Sequence, residues 1–218
     1  MAAGIAHELN QPLTAIRSYA HNMAKLIEMG RTEEAKNALD KINMLARRMA
    51  ITSKHLKSLA RRPEKKAGRA DLKKTLKQAI DLFEEQIKTH HIDLEIKQPG
   101  EEIMVVGEEI PLEQVFTNLI SNAMDAMDGQ PEKKLTIDIF FQEDPGEIHI
   151  EFRDTGKGID KEELNQIFDP FYTSKEVGDG LGLGLSISYN IVKDWDGALQ
   201  ARSTPGRGSC FLLILKTH

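Results

Sequence analysis

Two apolar stripes with helical spacing occupy the first quarter of the chain, and one short hairpin carrying both has more apolar face than it can cover by itself. The first stripe runs through Ile5, Leu9, Leu13, Ile16, Tyr19, Ala20, Met23, Leu26 and Ile27 at intervals of three and four, which is one side of an α-helix. Gly30 ends it. Thr32 with Glu33 and Glu34 marks a helix start, and Ala35, Leu39, Ile42, Leu45, Met49, Thr52, Leu56 and Leu59 carry the second stripe. The pattern predicts an antiparallel helical hairpin over residues 1–61 that pairs with a second copy in a homodimeric four-helix bundle.

Arg62-Pro63-Glu64-Lys65-Lys66-Ala67-Gly68-Arg69 then breaks the periodicity with proline, glycine and charge, so residues 62–70 read as a linker and 71–218 as a second domain. Charge supports the division. Residues 1–70 hold 14 Lys/Arg against 6 Asp/Glu, whereas residues 71–218 hold 15 against 28. In the second domain Asp71 can cap a helix carrying Leu72, Leu76, Ala79, Ile80, Phe83 and Ile87, and His91–Lys97 and Ile103–Val106 read as strands. Pro111 sits where a helix begins, and Leu112–Met127 continues it. Leu135–Phe141 and Glu147–Arg153 flank Asp144-Pro145-Gly146 as a hairpin, and a helix from Gly184 to Asp194 precedes strands at Leu199–Ser203 and Ser209–Lys216. Mostly antiparallel strands with helices on one face give an α+β sandwich.

Composition excludes several classes. Of 218 residues 40% are apolar, too many for a disordered chain, and the single cysteine, Cys210, closes no intrachain disulfide. No apolar run approaches the roughly 20 residues that cross a bilayer, and no charged-then-apolar leader opens the chain, so it reads as soluble. A net charge of -5 argues against a nucleic-acid partner. The nine basic residues between Arg47 and Arg69 form a solvated helix face or a docking surface for an acidic partner.

Three patterns carry chemistry. Gly178-Asp179-Gly180-Leu181-Gly182-Leu183-Gly184-Leu185 places four of the 16 glycines within seven positions, where main-chain N–H groups and the start of the following helix can receive an anion. Asp154-Thr155-Gly156-Lys157-Gly158-Ile159 follows a strand, and the Asp154 carboxylate can accept a hydrogen bond from an exocyclic amine while the glycines let the backbone pass a flat ring. Asn118 and Asn122, four apart, share a helix face and offer amide oxygens to a hard cation such as Mg²⁺. Taken singly, each pattern is equally an ordinary loop, turn or polar face.

In this order and spacing they resemble the ATP-binding domain of bacterial two-component sensor histidine kinases, shared more distantly with gyrase, chaperone and mismatch-repair ATPases: the GHKL, or Bergerat-type, α/β sandwich. Asn118–Ala123 resembles the N box, Asp154–Ile159 the first glycine box, Phe168-Asp169-Pro170-Phe171-Tyr172 the F box and Gly180–Leu185 the second glycine box. Thr204-Pro205-Gly206-Arg207-Gly208-Ser209 resembles the last box. The resemblance implies that Asn122 and Asn118 serve Mg²⁺ and phosphates and that Asp154 reads adenine. It likewise implies ATP contacts at Gly156, Gly158, Gly180, Gly182 and Gly184, and a lid over Phe168–Leu183 in which Lys175 can reach a phosphate. In the related ATPases a glutamate stands at the position of Asn118.

His7-Glu8-Leu9-Asn10-Gln11-Pro12-Leu13 resembles the H box of the kinases, with His7 the phosphoacceptor and Glu8 the acid beside it. Imidazole is nucleophilic near neutral pH, and a carboxylate at one ring nitrogen strengthens the other. His7–Tyr19 and Val177–Lys193 are most similar to the C4-dicarboxylate sensor kinases. Two positions depart from the family: Gln11 stands where many relatives orient a hydrolytic water, and Asp125 where many have Lys or Arg. The resemblance implies autophosphorylation from Mg-ATP, then transfer to an aspartate of a response-regulator receiver domain. It also implies a membrane-anchored parent with a sensor ahead of this part, which lies on the cytoplasmic side. The alternatives are an ATPase of the same fold and a docking module without kinase activity.

Overall fold

The computed structural model describes residues 2–39, 41–42, 68–141, 146–173 and 182–218, with the backbone alone over 2–13. The chain divides into two compact units, Met1–Arg62 and Pro63–His218.

The first unit opens with α1 (Ala2–Glu28). Gly30 stops it at a φ of 70°. Arg31 N–H donates to the Leu26 carbonyl at 2.8 Å and Gly30 N–H to that of Ile27 at 3.0 Å, the paired closure that a left-handed residue permits at a helix end. The chain turns back into α2, helical over residues 32–39. The two helices touch where the Lys41 ammonium sits 5.4 Å from the centre of the Tyr19 ring. Ala35 and Ala38 are buried, but Ile27, Met29 and Leu39 stay exposed, so the hairpin keeps apolar surface uncovered.

The second unit holds β1 (Arg69–Asp71), α3 (Leu72–Asp81), α4 (Glu84–Thr89), β2 (Asp93–Lys97), β3 (Met104–Val106) and α5 (Glu109–Ala126). It continues with β4 (Lys134–Phe141), β5 (Glu147–Asp154), α6 (Lys161–Leu164), α7 (Gly184–Asp194), β6 (Ala198–Ser203) and β7 (Ser209–Lys216). Five strands form one sheet in the order β2-β4-β5-β7-β6, parallel only between β2 and β4. Alternation decides the faces. Leu135, Ile137, Ile139, Ile148, Ile150, Phe152, Phe211 and Leu213 are buried toward the helices, while their neighbours in each strand are more exposed. Leu72 and Leu76 of α3, Phe116, Leu119 and Ile120 of α5, and Val192 of α7 complete that core.

Three features depart from the sequence expectation. Asp71 caps α3 as expected, its Oδ1 accepting from Lys74 N–H at 3.0 Å, yet the helix breaks at Leu82–Phe83 and resumes as α4, which sets Ile87 and Ile92 into the core. Arg69 and Ala70, read as linker, pair instead with Val106 and Val105 in a two-stranded ladder, because Ala70 is wholly buried there. Helix α5 starts two residues before Pro111, which occupies the first turn, where a missing N–H costs no intrahelical bond. Among the described residues no helix is long and apolar enough to cross a membrane.

Phe116 is fully buried and its ring centre lies 5.8 Å from that of Phe152, joining α5 to the middle of the sheet. Phe116→Ala should cost about 3–5 kcal/mol. A urea titration should show the unfolding midpoint of the second unit falling steeply, and an unchanged midpoint would contradict this core.

Candidate functional site

Strand β5 ends at Asp154, and the loop beyond it is pinned from two sides. Thr155 N–H donates to the Lys134 carbonyl at 3.1 Å, and its hydroxyl accepts from Lys134 N–H and donates to the Glu132 carbonyl, both at 2.9 Å. Lys157 N–H donates to the carbonyl of Ala126, the last residue of α5, at 2.9 Å. A Cβ on Gly156 would come within 2.6 Å of that same oxygen. The loop therefore rests on the end of α5 with no room for a side chain.

The second constraint is the turn between β6 and β7. Gly206 N–H donates to the Lys157 carbonyl at 2.7 Å, and Ser203 Oγ accepts from Ile159 N–H at 2.8 Å. Gly158 takes a φ of 73° and Gly208 one of 87°, a region that L side chains avoid. A Cβ on Gly158 would overlap the Thr204 carbonyl, and one on Gly208 the Asp154 carbonyl. The steric need for glycine here comes from the chain's own backbone, pressed together around Asp154.

That pressing makes the environment of the carboxylate. Asp154 is 3% exposed. Its Oδ1 accepts from Gly156 N–H at 2.8 Å and Ser209 N–H at 3.2 Å, while Oδ2 takes no hydrogen bond from the described residues. Burial pushes the carboxyl above its ordinary range, and the two backbone donors offset part of that rise. One oxygen is thus committed to the fold and the other is left as an acceptor in a desolvated place.

Helix α5 carries the two asparagines and α7 stands beside them. The Asn118 amide nitrogen donates to the Gly184 carbonyl at 3.0 Å and to Ser188 Oγ at 3.1 Å. Asn122 is half-buried and its side chain bonds to none of the described residues. Leu183 caps α7 without a side-chain hydrogen bond, so among the described residues no side chain occupies the first amides of the helix, where an anion is favoured. A Cβ on Gly184, the first residue of α7, would meet the Asn118 amide at ordinary contact distance.

The segment read as a lid has both its ends in view. Phe171 N–H donates to the Gly182 carbonyl at 3.1 Å, and Gly182 is so close to the Tyr172 backbone that a Cβ would overlap it. Tyr172 OH donates to Glu163 at 2.9 Å. Lys175 and Gly180 lie outside the described residues, and His7 and Glu8 are on α1 with side chains likewise outside them. The structure thus brings Asn118 together with Gly184, and Asp154 with Gly156 and Gly158. Ser188, which the sequence did not single out, is in contact with Asn118, and Ser209, read only as the end of the last box, donates its N–H to Asp154.

Among the described residues no group of three His, Cys, Asp or Glu could hold a metal. Amide oxygens suit a different case. Mg²⁺ keeps most of its waters and needs only one or two protein oxygens when substrate phosphates supply others, and the uncommitted Asn122 amide and the Asn118 Oδ1 fit that demand.

Since the Asp154 carboxyl is raised in the fold, its charged form costs stability above that raised value, and the cost shrinks as the pH falls below it and is gone below the ordinary carboxylate range of the unfolded chain. Asp154→Asn should therefore melt higher than the parent at neutral pH, with the advantage shrinking as the pH is lowered. Thermal unfolding across the acidic range checks this, and a variant less stable at neutral pH contradicts it.

Comparison with known proteins gives the family. Residues 107–218 match the model of the histidine kinase-, DNA gyrase B- and HSP90-like ATPase family, and residues 1–65 match the His kinase A phospho-acceptor domain. The chain is 35% identical over 216 residues, 99% of its length, to the C4-dicarboxylate transport sensor protein DctB of Rhizobium meliloti, of which it covers 34%. It is 34% identical over 214 residues, 97% of its length, to sporulation kinase A of Bacillus subtilis, of which it covers 33%. The chain thus spans about a third of the length of these relatives. The histidine kinase ThkA, solved in complex with the response regulator protein TrrA, shares the fold at a TM-score of 0.74 and 22% identity, over 100% of this chain and 61% of that one. The chain belongs to the histidine kinase-, DNA gyrase B- and HSP90-like ATPases, and with its phospho-acceptor domain it is the core of a two-component sensor histidine kinase.

Proposed function

We propose that this core transfers the γ-phosphoryl group of ATP to His7 and from there to an aspartate of a response-regulator receiver domain. The observation that carries the reading is Asp154, a desolvated carboxylate with one oxygen held by backbone and the other uncommitted. Such an acceptor selects a ring bearing an exocyclic amine, as adenine does. The first amides of α7 and the glycines at 180, 182 and 184 receive phosphate oxygens, and Lys175 supplies a cation to them. Asn122 and Asn118 hold Mg²⁺, which when bound neutralises charge on the phosphates.

His7 and Glu8 perform the transfer. One imidazole nitrogen attacks the γ-phosphorus, the bond to the β,γ-bridging oxygen breaks, and ADP departs with that electron pair. The Glu8 carboxylate hydrogen-bonds the N–H of the other ring nitrogen and takes up the proton released as the phosphohistidine forms. In the second step the receiver aspartate attacks the phosphorus, the N–P bond breaks, and the other ring nitrogen takes back the proton held by Glu8, so that His7 leaves as neutral imidazole. Asn118 favours this over hydrolysis, since an amide has no basicity near neutral pH and activates no water.

The exposed Ile27, Met29 and Leu39 of the hairpin support a homodimer, in which a second copy covers them. The likeness to C4-dicarboxylate sensors about three times as long supports a parent with a membrane anchor and a sensing domain, this core lying on the cytoplasmic side.

Incubation with γ-labelled ATP should give acid-labile, alkali-stable label on the protein. His7→Gln should abolish the label while ATP affinity stays within about twofold. Steady release of free phosphate by the His7→Gln protein, with no label on the parent, would transfer the chain to the ATPases.

A further inference from the structure

Asn118 is held by α7 in a way the two-asparagine motif does not require. A primary amide has two N–H donors and one acceptor. Here both donors are used across the α5–α7 contact, one by the Gly184 carbonyl at 3.0 Å and one by Ser188 Oγ at 3.1 Å, and Oδ1 takes no bond from the described residues. Ser188 is wholly buried. Turning the carboxamide by half a turn would set Oδ1 against the Gly184 carbonyl oxygen, acceptor facing acceptor, so the pair of partners fixes which way the amide faces. The two partners stand one turn apart on α7, in its first five residues.

We infer that Ser188 is a positioning residue for phosphoryl transfer: its hydroxyl, together with the Gly184 carbonyl, locks the Asn118 carboxamide with Oδ1 turned away from α7 and presented to the metal and phosphates. The inference rests on the nucleotide-site reading above and adds to it the residue that sets the amide. It also makes the orientation of Asn118 depend on the first turns of α7, the helix whose leading amides receive the phosphates.

Ser188→Thr and Ser188→Val test this as a pair, because the two new side chains have nearly the same shape and differ in the hydroxyl. Losing one neutral hydrogen bond at this site corresponds to about a fivefold effect. The threonine variant should keep about five times the autophosphorylation rate of the valine variant at saturating ATP. Its protein–ATP complex should bind Mn²⁺ about five times more tightly, followed by electron paramagnetic resonance, while metal-free ATP affinity differs by less than twofold. Equal rates and equal Mn²⁺ affinities in the pair, whether high or low, overturn the role of Ser188. So does a difference carried by metal-free ATP affinity alone. Asn118→Ala is measured alongside: an undiminished rate there overturns the site reading itself, whereas a lost rate there with an equal Ser188 pair overturns only the inference.

Discussion

Everything at this site depends on how closely the Thr204–Gly208 turn approaches the loop after β5. The contact puts Ser209 N–H on Asp154 Oδ1 and Gly206 N–H on the Lys157 carbonyl, and it closes only because Gly158 and Gly208 carry no side chain. The same contact buries the carboxylate, which costs stability at neutral pH. A fold that retains such a group holds a polar acceptor ready in a place water cannot easily reorganise, which is what selecting one ring system demands.

Helix α5 transmits this order to the other half of the site. Its Phe116, Leu119 and Ile120 are core residues packed toward the sheet, while Asn118, with Asn122 one turn on, lies on another side of the same helix and bonds to α7. Its last residue, Ala126, is the seat of the loop holding Gly156 and Lys157. The asparagines and Asp154 are therefore positioned by one rigid element, and displacing either group means disturbing the core.

Much of this was legible because it is local or repetitive. The helix expected from about Gly184 to Asp194 and the strand expected near Ser209–Lys216 stand in those places, and the glycine clusters marked the loops that meet at Asp154. What was not legible is contact between distant parts. Arg-Ala-Asp is too short and polar to announce a strand, and β1 exists because Val105 lies opposite Ala70. Nothing at Leu82 signals the break between α3 and α4. Ser188 reads as a small residue on an amphipathic helix until Asn118, 70 positions earlier, is placed against it. The glycines also read differently in three dimensions, since the sequence suggested space for a ligand ring and the structure shows backbone on backbone. His7, Glu8, Lys175 and Gly180 rest on motif resemblance alone, since the side chains of His7 and Glu8, and residues 175 and 180 altogether, lie outside the described residues.

The central claim is that Asp154 is there to recognise the base rather than to hold the loops, and nucleotide discrimination tests it most directly. Guanine presents a carbonyl oxygen where adenine presents an amine, so it gains nothing from a carboxylate acceptor. Calorimetric titration of Asp154→Ala should show ATP binding weakened by roughly 10- to 150-fold, the equivalent of about 1.5–3 kcal/mol for a lost hydrogen bond to a charged group, and GTP binding weakened far less. Equal losses for the two nucleotides would contradict the account and return Asp154 to a purely structural role.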